Sequence, residues 1–204
     1  MQKEVGHRIP VMEHFYTLQG EGRWTGSPAY FIRLAGCDVG CTWCDVKESW
    51  NIDDNQWMQV DLLVELAQQS GTEIVVITGG EPAMHDLGPL TSALREIGLR
   101  THIETSGAHP VSGQWDWITL SPKKFKAARV EWFDLAHELK VIVYNRHDLQ
   151  WAEQQASSCD QSRTMLYLQP EWSRRDRVHE IIEYIKSNPK WRLGLQTHKY
   201  VDIP

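Results

Sequence analysis

The sequence lacks what a membrane protein, a polyanion binder or a secreted disulfide scaffold would need. No apolar run approaches the ~20 residues of a membrane-spanning helix. The first ten residues, Met1 to Pro10, are polar and without the apolar core of a secretory signal. There is no dense block of lysine or arginine, and the formal net charge is -6. A nucleic-acid backbone binder gains its affinity from cationic contacts to phosphate, so that class is excluded. No internal repeat, low-complexity tract or Pro/Gly-rich linker divides the 204 residues, and one domain over 1–204 with its own core is expected. Cysteine is scarce: there are four, of which Cys159 stands alone in a remote polar stretch, so no disulfide framework is implied. Together these absences describe a soluble cytoplasmic protein with neither a membrane nor a nucleic-acid partner. Tryptophan, by contrast, is abundant at ten residues, most simply explained by packing.

Strand-length apolar runs recur with helical or loop segments between them. They cover Ala29 to Leu34, Glu73 to Thr78, Arg100 to Glu104, Trp117 to Leu120, Leu139 to Val143, Met165 to Leu168 and Arg192 to Leu195. Helical spacing appears at Val60 to Gln69, where Leu62, Leu63, Leu66 and Ala67 form a stripe, and again at Leu87 to Ile97 and Asp176 to Lys186. Alternating strands and helices predict an α/β fold with a mostly parallel sheet and right-handed crossovers. Six or seven strands are too few for a closed eight-fold barrel, so a partial, open TIM-like barrel is expected. Chemistry in such folds lies at the carboxyl ends of the strands. The polar and glycine motifs of this chain fall there: CDVGCTWC, GGEP, ETSG, SPK, LQP and QTHK.

Three cysteines share one loop, Cys37, Cys41 and Cys44, spaced C-x3-C-x2-C. A structural zinc usually takes four Cys or His ligands. A cubane iron–sulfur cluster held by three thiolates keeps one iron free of protein, and that iron can bind a small molecule and pass it an electron. An amino-acid head group, with its α-amino and α-carboxylate groups, is a suitable bidentate ligand. The alternative is a zinc knuckle completed by His85 or His109. About 35 residues on, Gly79-Gly80-Glu81-Pro82 ends a β-branched strand. Its glycines let backbone approach a ligand's ammonium closely, and Glu81 can fix the loop.

With these two motifs in place, the sequence resembles the radical S-adenosylmethionine superfamily. Three further runs sharpen the resemblance: Thr17-Leu18-Gln19-Gly20-Glu21-Gly22, Phe31-Ile32-Arg33-Leu34-Ala35-Gly36-Cys37 and Gln196-Thr197-His198-Lys199-Tyr200. From about Glu13 to Pro204 the chain is similar to the 7-carboxy-7-deazaguanine synthase family. The resemblance implies the radical SAM fold and a 4Fe-4S cluster on Cys37, Cys41 and Cys44, with S-adenosylmethionine cleaved to a 5'-deoxyadenosyl radical. The implied reaction is a carbon–nitrogen lyase reaction. The radical takes a hydrogen from C6 of 6-carboxy-5,6,7,8-tetrahydropterin, the ring contracts and ammonia leaves. The hydrogen then returns, so S-adenosylmethionine is regenerated, and the product feeds queuosine synthesis for transfer RNA. A homodimer and a flavodoxin or ferredoxin electron donor are implied as well.

The resemblance also suggests residue roles. The pterin needs donors and acceptors for its amide-like and guanidine-like edges and a cation for its carboxylate. Gln19 offers both functions, Glu21 accepts, and Arg33 can fork onto a carboxylate. Leu18, Gly20, Thr78, His198 and Pro204 complete the implied substrate set. A turn role for Gln19 beside Gly20 is the competing reading. The implied cofactor set is Trp43, Gly79, Gly80, Glu81, Glu104, Ser106, Ser121, Lys123 and Gln169, with Thr105 in the same run. Family members carry a threonine two residues after the third cysteine, as a magnesium ligand. Here the run is Cys44-Asp45-Val46, and valine cannot ligate a hard cation. Magnesium would then depend on Asp45, water and substrate oxygens. The segment from Lys47 to Gln59 is short and irregular, which suggests a reduced lid. Two other functions share part of the pattern: a glycyl-radical activating enzyme, which the TLQGEG and QTHKY runs disfavour, and a non-catalytic zinc module that binds a protein.

Overall fold

β-branched and aliphatic runs set the strands, and their period-two alternation decides which side chains face which layer. The computed structural model describes Gly6 to Pro204. Met1 to Val5, half of the polar N-terminus, lie outside the described residues. The chain order is β1 (Arg8–Leu18), β2 (Pro28–Leu34), β3 (Trp57–Gln59), α1 (Val60–Gln69), β4 (Ile74–Gly79), α2 (Gly88–Glu96), β5 (Arg100–Thr105) and β6 (Trp117–Leu120). It continues with α3 (Val130–Leu135), β7 (Glu138–Val143), α4 (His147–Ala156), β8 (Met165–Pro170), α5 (Val178–Ser187), β9 (Trp191–Leu193) and α6 (Thr197–Val201). Among the described residues these strands form one nine-stranded sheet, ordered β3-β1-β2-β4-β5-β6-β7-β8-β9.

The sheet is open, as expected, but it has nine strands rather than six or seven. The seven runs read from the sequence are its parallel part, β2 and β4 to β9. The two additional strands are antiparallel. β1 pairs with β2, and the three-residue β3 pairs with Arg8 to Pro10. Pro10 and the interleaved polar residues Glu13 and His14 disguise β1. Only Arg8 to Pro10 of β1 are covered by β3, so from Val11 onward the strand is paired on the β2 side alone, where polar residues are tolerated.

Alternation divides the side chains. Ile32 and Leu34 on β2, Val75 and Ile77 on β4, Leu139 and Val141 on β7, and Leu166 and Leu168 on β8 pack with the helices in the main core. Helix α1 contributes Val60, Leu63 and Ala67; Leu62, expected on its buried stripe, is 45% exposed. Ala29, Phe31, Ile74 and Val76 form a second, smaller cluster with Phe15 and Trp24. The rings of Trp24, His102 and Trp117 meet in the same region in tilted and edge-to-face contacts. On β7 the residues that alternate with the core leucine and valines are Glu138, Lys140 and Ile142. The stretch expected to be an irregular lid is two short 3-10 turns, Lys47–Trp50 and Asp54–Gln56, followed by β3. It braces the cysteine loop: Gly36 N donates to Ser49 O at 2.7 Å and Cys37 N to Trp50 O at 3.1 Å.

Candidate active site

A cavity of about 480 Å³ opens at the carboxyl ends of the parallel strands. All three loop cysteines line it, and so does every residue of the implied substrate and cofactor sets. The implied substrate residues there are Leu18, Gln19, Gly20 and Glu21, with Arg33, Thr78, His198 and Pro204. The implied cofactor residues are Trp43, Gly79, Gly80 and Glu81, with Glu104, Thr105, Ser106, Ser121, Lys123 and Gln169. Cys159 is buried elsewhere, in the main core beyond α4.

The cysteine loop leaves β2 through Ala35 and Gly36. Gly36 has φ +98 and Gly40 φ +74, backbone that favours glycine and lets the loop coil tightly. Cys44 N donates to Cys41 O at 3.1 Å. All four cysteines of the chain are free thiols. Burial pushes the Cys41 thiol up to about 11, with Lys123 pulling the other way, and burial raises Cys37 too. The imidazoles that could complete a zinc knuckle are turned to other partners. His85 Nε2 donates to the Ala35 carbonyl at 2.8 Å, and His109 Nε2 to Asp38 Oδ1 at 2.9 Å.

The glycine pair after β4 is sterically required. Gly79 has φ +124, and a Cβ there would run into the Leu34 backbone; a Cβ on Gly80 would run into the Gly36 carbonyl. Gly80 N donates to Leu34 O at 2.9 Å and Glu81 N to Gly36 O at 2.8 Å. The Glu81 carboxylate is buried and holds the loop in place. It accepts from Ala83 N at 3.0 Å, Ser106 N at 2.8 Å, and the Thr105 and Ser106 hydroxyls. Of the implied cofactor residues, Glu81 and Ser106 therefore clamp each other. Lys123 Nζ donates to the Ser121 carbonyl and, at 2.7 Å, to its hydroxyl; burial lowers its pKa. Gln169 Oε1 is buried and has no hydrogen-bond partner among the described residues.

The opposite wall carries a charged network that the sequence reading caught only in part. Lys140, midway along β7 and 5% exposed, donates to Glu21 and to Glu104 Oε2 at 3.2 Å. Gln19 Nε2 donates to Glu104 Oε1 at 2.9 Å, while its Oε1 accepts from Glu21 N at 3.0 Å. Gln19 is thus both a turn residue and a cavity residue. Gln196 Nε2 donates to Glu21 Oε1 at 2.9 Å. Burial alone would raise the Glu21 carboxyl; the Lys140 ammonium overcomes it and holds the group down to about 2. Burial likewise disfavours the Lys140 charge, but Glu104 and Glu21 outweigh it and raise its pKa. His198 lies against Gly20, where a Cβ would strike its ring, and burial lowers its pKa.

Two expectations change in detail. Arg33 does not present its whole guanidinium to the cavity, because Nε donates to Glu13 Oε1 at 2.6 Å. Its Nη atoms have no hydrogen-bond partner among the described residues, so a carboxylate would meet those. Lys140 itself went unnoticed because it sits inside a strand run, three residues before its end. The one signal was a lysine between Leu139 and Val141 on a strand with both neighbours buried.

Known proteins agree with this geometry. The profile of the Radical SAM superfamily matches residues 31–138. The chain is 53% identical over 202 residues to the 7-carboxy-7-deazaguanine synthase of Flavobacterium psychrophilum, covering 98% of this chain and 95% of that one. The synthase of Synechocystis is 50% identical over 95% of this chain and 93% of its own. A crystal structure of QueE from Escherichia coli superposes with a TM-score of 0.84 at 35% identity, covering 94% of this chain and 95% of that one. A cysteine loop and a glycine pair facing a carboxylate–lysine network across one cavity, in an open parallel barrel, therefore place this chain in the radical SAM superfamily, as a member of the 7-carboxy-7-deazaguanine synthase family.

Proposed function

We propose that the chain acts as a single domain over residues 1–204 and converts 6-carboxy-5,6,7,8-tetrahydropterin to 7-carboxy-7-deazaguanine with release of ammonia. The observation that carries this reading is one cavity lined by three thiols, a glycine pair and a carboxylate–lysine network. The residues fit a 4Fe-4S cluster and S-adenosylmethionine. Three thiols on one loop, with His85 and His109 engaged elsewhere, suit a 4Fe-4S cluster that leaves one iron for a small ligand. The unpartnered, buried Gln169 Oε1 is an acceptor suited to a nucleoside's exocyclic amine. When bound, the cluster and S-adenosylmethionine supply a carbon radical able to take a hydrogen atom from the pterin.

The protein's own part is to bind, orient and exclude water. With their neighbouring N–H groups turned to Leu34 and Gly36, Gly79 and Gly80 offer acceptors to an ammonium. Lys123 and Ser121 offer donors to a carboxylate or ribose. Ionised Glu21 accepts from the guanidine-like edge of the pterin, Gln19 and His198 flank it, and Arg33 meets the carboxylate through its Nη atoms. Lys140 keeps its proton and fixes both Glu21 and Glu104. Phe15, Phe31 and Trp172 supply apolar wall, which shields reactive intermediates from solvent. We assign the enzyme to the cytoplasm, as a homodimer, with a flavodoxin or ferredoxin as donor. No helix of the described residues is long and apolar enough to cross a membrane.

Equilibrium titration of the anaerobic, cluster-loaded protein tests the substrate reading. The carboxy-pterin should bind, and Arg33→Ala should weaken it at least about tenfold while S-adenosylmethionine stays within about twofold. No pterin binding by the unaltered chain, with S-adenosylmethionine still bound, would overturn it and favour an activating enzyme for a protein substrate.

A further inference from the structure

Magnesium is the one implied cofactor that these residues do not fit. Val46 presents only carbon to the cavity where an oxygen ligand would be needed. The carboxylate next to Val46 is Asp45, and it is already ion-paired with Lys199. The protein thus brings a cation of its own, Lys199, to the residue next to Val46, and all three line the cavity.

That ammonium is well held. Its Nζ lies 5.3 Å from the Trp172 ring centre, a cation–π contact. Its helix, α6, is tied to the β1–β2 turn by Thr197 N and Oγ1, which donate to Gly20 O at 2.9 and 2.8 Å. Lys199 nevertheless lines the cavity, with its side chain 22% exposed. The other lysines that line it are committed: Lys123 to Ser121, Lys140 to Glu21 and Glu104.

We infer that the Lys199 ammonium, aimed by Asp45 and Trp172, is the cation that receives the substrate's carboxylate in this chain, in place of a magnesium ion. The inference rests on the pterin reading above. An ammonium has three donors, and Asp45 takes one. Two remain for a carboxylate entering beside Val46. Like a metal ion, an ammonium is a compact point charge without the planar demand of a guanidinium. Arg33 supplies the second cation from β2.

Calorimetry on chelator-treated, anaerobic, cluster-loaded protein decides the matter, using 6-carboxytetrahydropterin and the same pterin without its carboxylate. Added magnesium should change the affinity of the wild type for the carboxy-pterin by less than about twofold. Lys199→Met should weaken the carboxy-pterin at least about tenfold and leave the pterin lacking the carboxylate within about twofold, which also reports an intact cavity. Tightening of the wild type by tenfold or more on adding magnesium would overturn the inference, and so would equal weakening of both pterins in Lys199→Met. If the wild type binds neither pterin, the substrate reading falls and this inference with it.

Discussion

At the scale of single residues, Lys140 holds the carboxylate network of the cavity together. Removing one partner of a buried ion pair leaves an uncompensated charge, which costs about 3–5 kcal/mol. Lys140→Met should lose stability of that order in urea unfolding, because Glu21 and Glu104 would both remain. Adding Glu21→Gln to Lys140→Met should recover part of the loss, and wild-type stability in Lys140→Met would contradict the network. The same pair gives a pH dependence of defined sign. Glu21 has a folded value of about 2, below the ordinary 4.5. A depressed carboxylate stabilises the fold above its unfolded value and loses that contribution as pH falls through the folded one. Between about pH 4.5 and 2, wild type should therefore lose more stability than Glu21→Gln, measured by thermal unfolding. The three loop cysteines, the glycine pair and Gln19, Glu21 and Arg33 were legible because short motifs with a chemical requirement carried them. Lys140 and Lys199 were not assigned roles: what a lysine does depends on what the fold sets beside it, and here those partners lie 119 and 154 residues away.

At the scale of elements, backbone geometry rather than side chains shapes the cofactor side. Gly79 combines φ +124 with a blocked Cβ direction, whereas Gly40 has φ +74 and open space around it. Gly79→Ala should destabilise the fold by about 2 kcal/mol or more, since strain and collision add. Gly40→Ala should cost only the left-handed strain, about 1–2 kcal/mol. Equal effects in denaturant titrations would contradict the requirement for close approach of β4 to Leu34. The seven parallel strands were readable because buried strands are continuous apolar runs. Helix α1 was read to its bounds from spacing, although Leu62 faces outwards. β1, β3, α3, α4 and α6 escaped notice. β1 has mixed polarity and is covered by β3 only over Arg8 to Pro10, β3 has three residues, α3 has six, and α4 is polar with few buried positions. α6 is a five-residue helix whose contacts, more than its own sequence, hold it in place.

At the scale of the molecule, an open sheet is closed at its mouth by polar contacts between distant ends of the chain. Gln196 reaches Glu21, Thr197 reaches Gly20, and Lys199 reaches Asp45. The wall that holds Gly20 and Glu21 is thus completed by the C-terminal segment, while the cysteine loop is braced separately through Ser49 and Trp50. A chain ending at Leu195 should still take up iron and sulfide on anaerobic reconstitution but should fail to bind the pterin. Loss of cluster loading by that truncation would contradict the separation. The central claim is the reaction itself, and one measurement addresses it most directly. The reconstituted protein is incubated anaerobically with 6-carboxytetrahydropterin, S-adenosylmethionine and a low-potential reductant, and the products are counted by mass spectrometry. The account predicts 7-carboxy-7-deazaguanine and ammonia in equal amounts, in large excess over any S-adenosylmethionine consumed. Accumulation of 5'-deoxyadenosine and methionine without the deazapurine would contradict it.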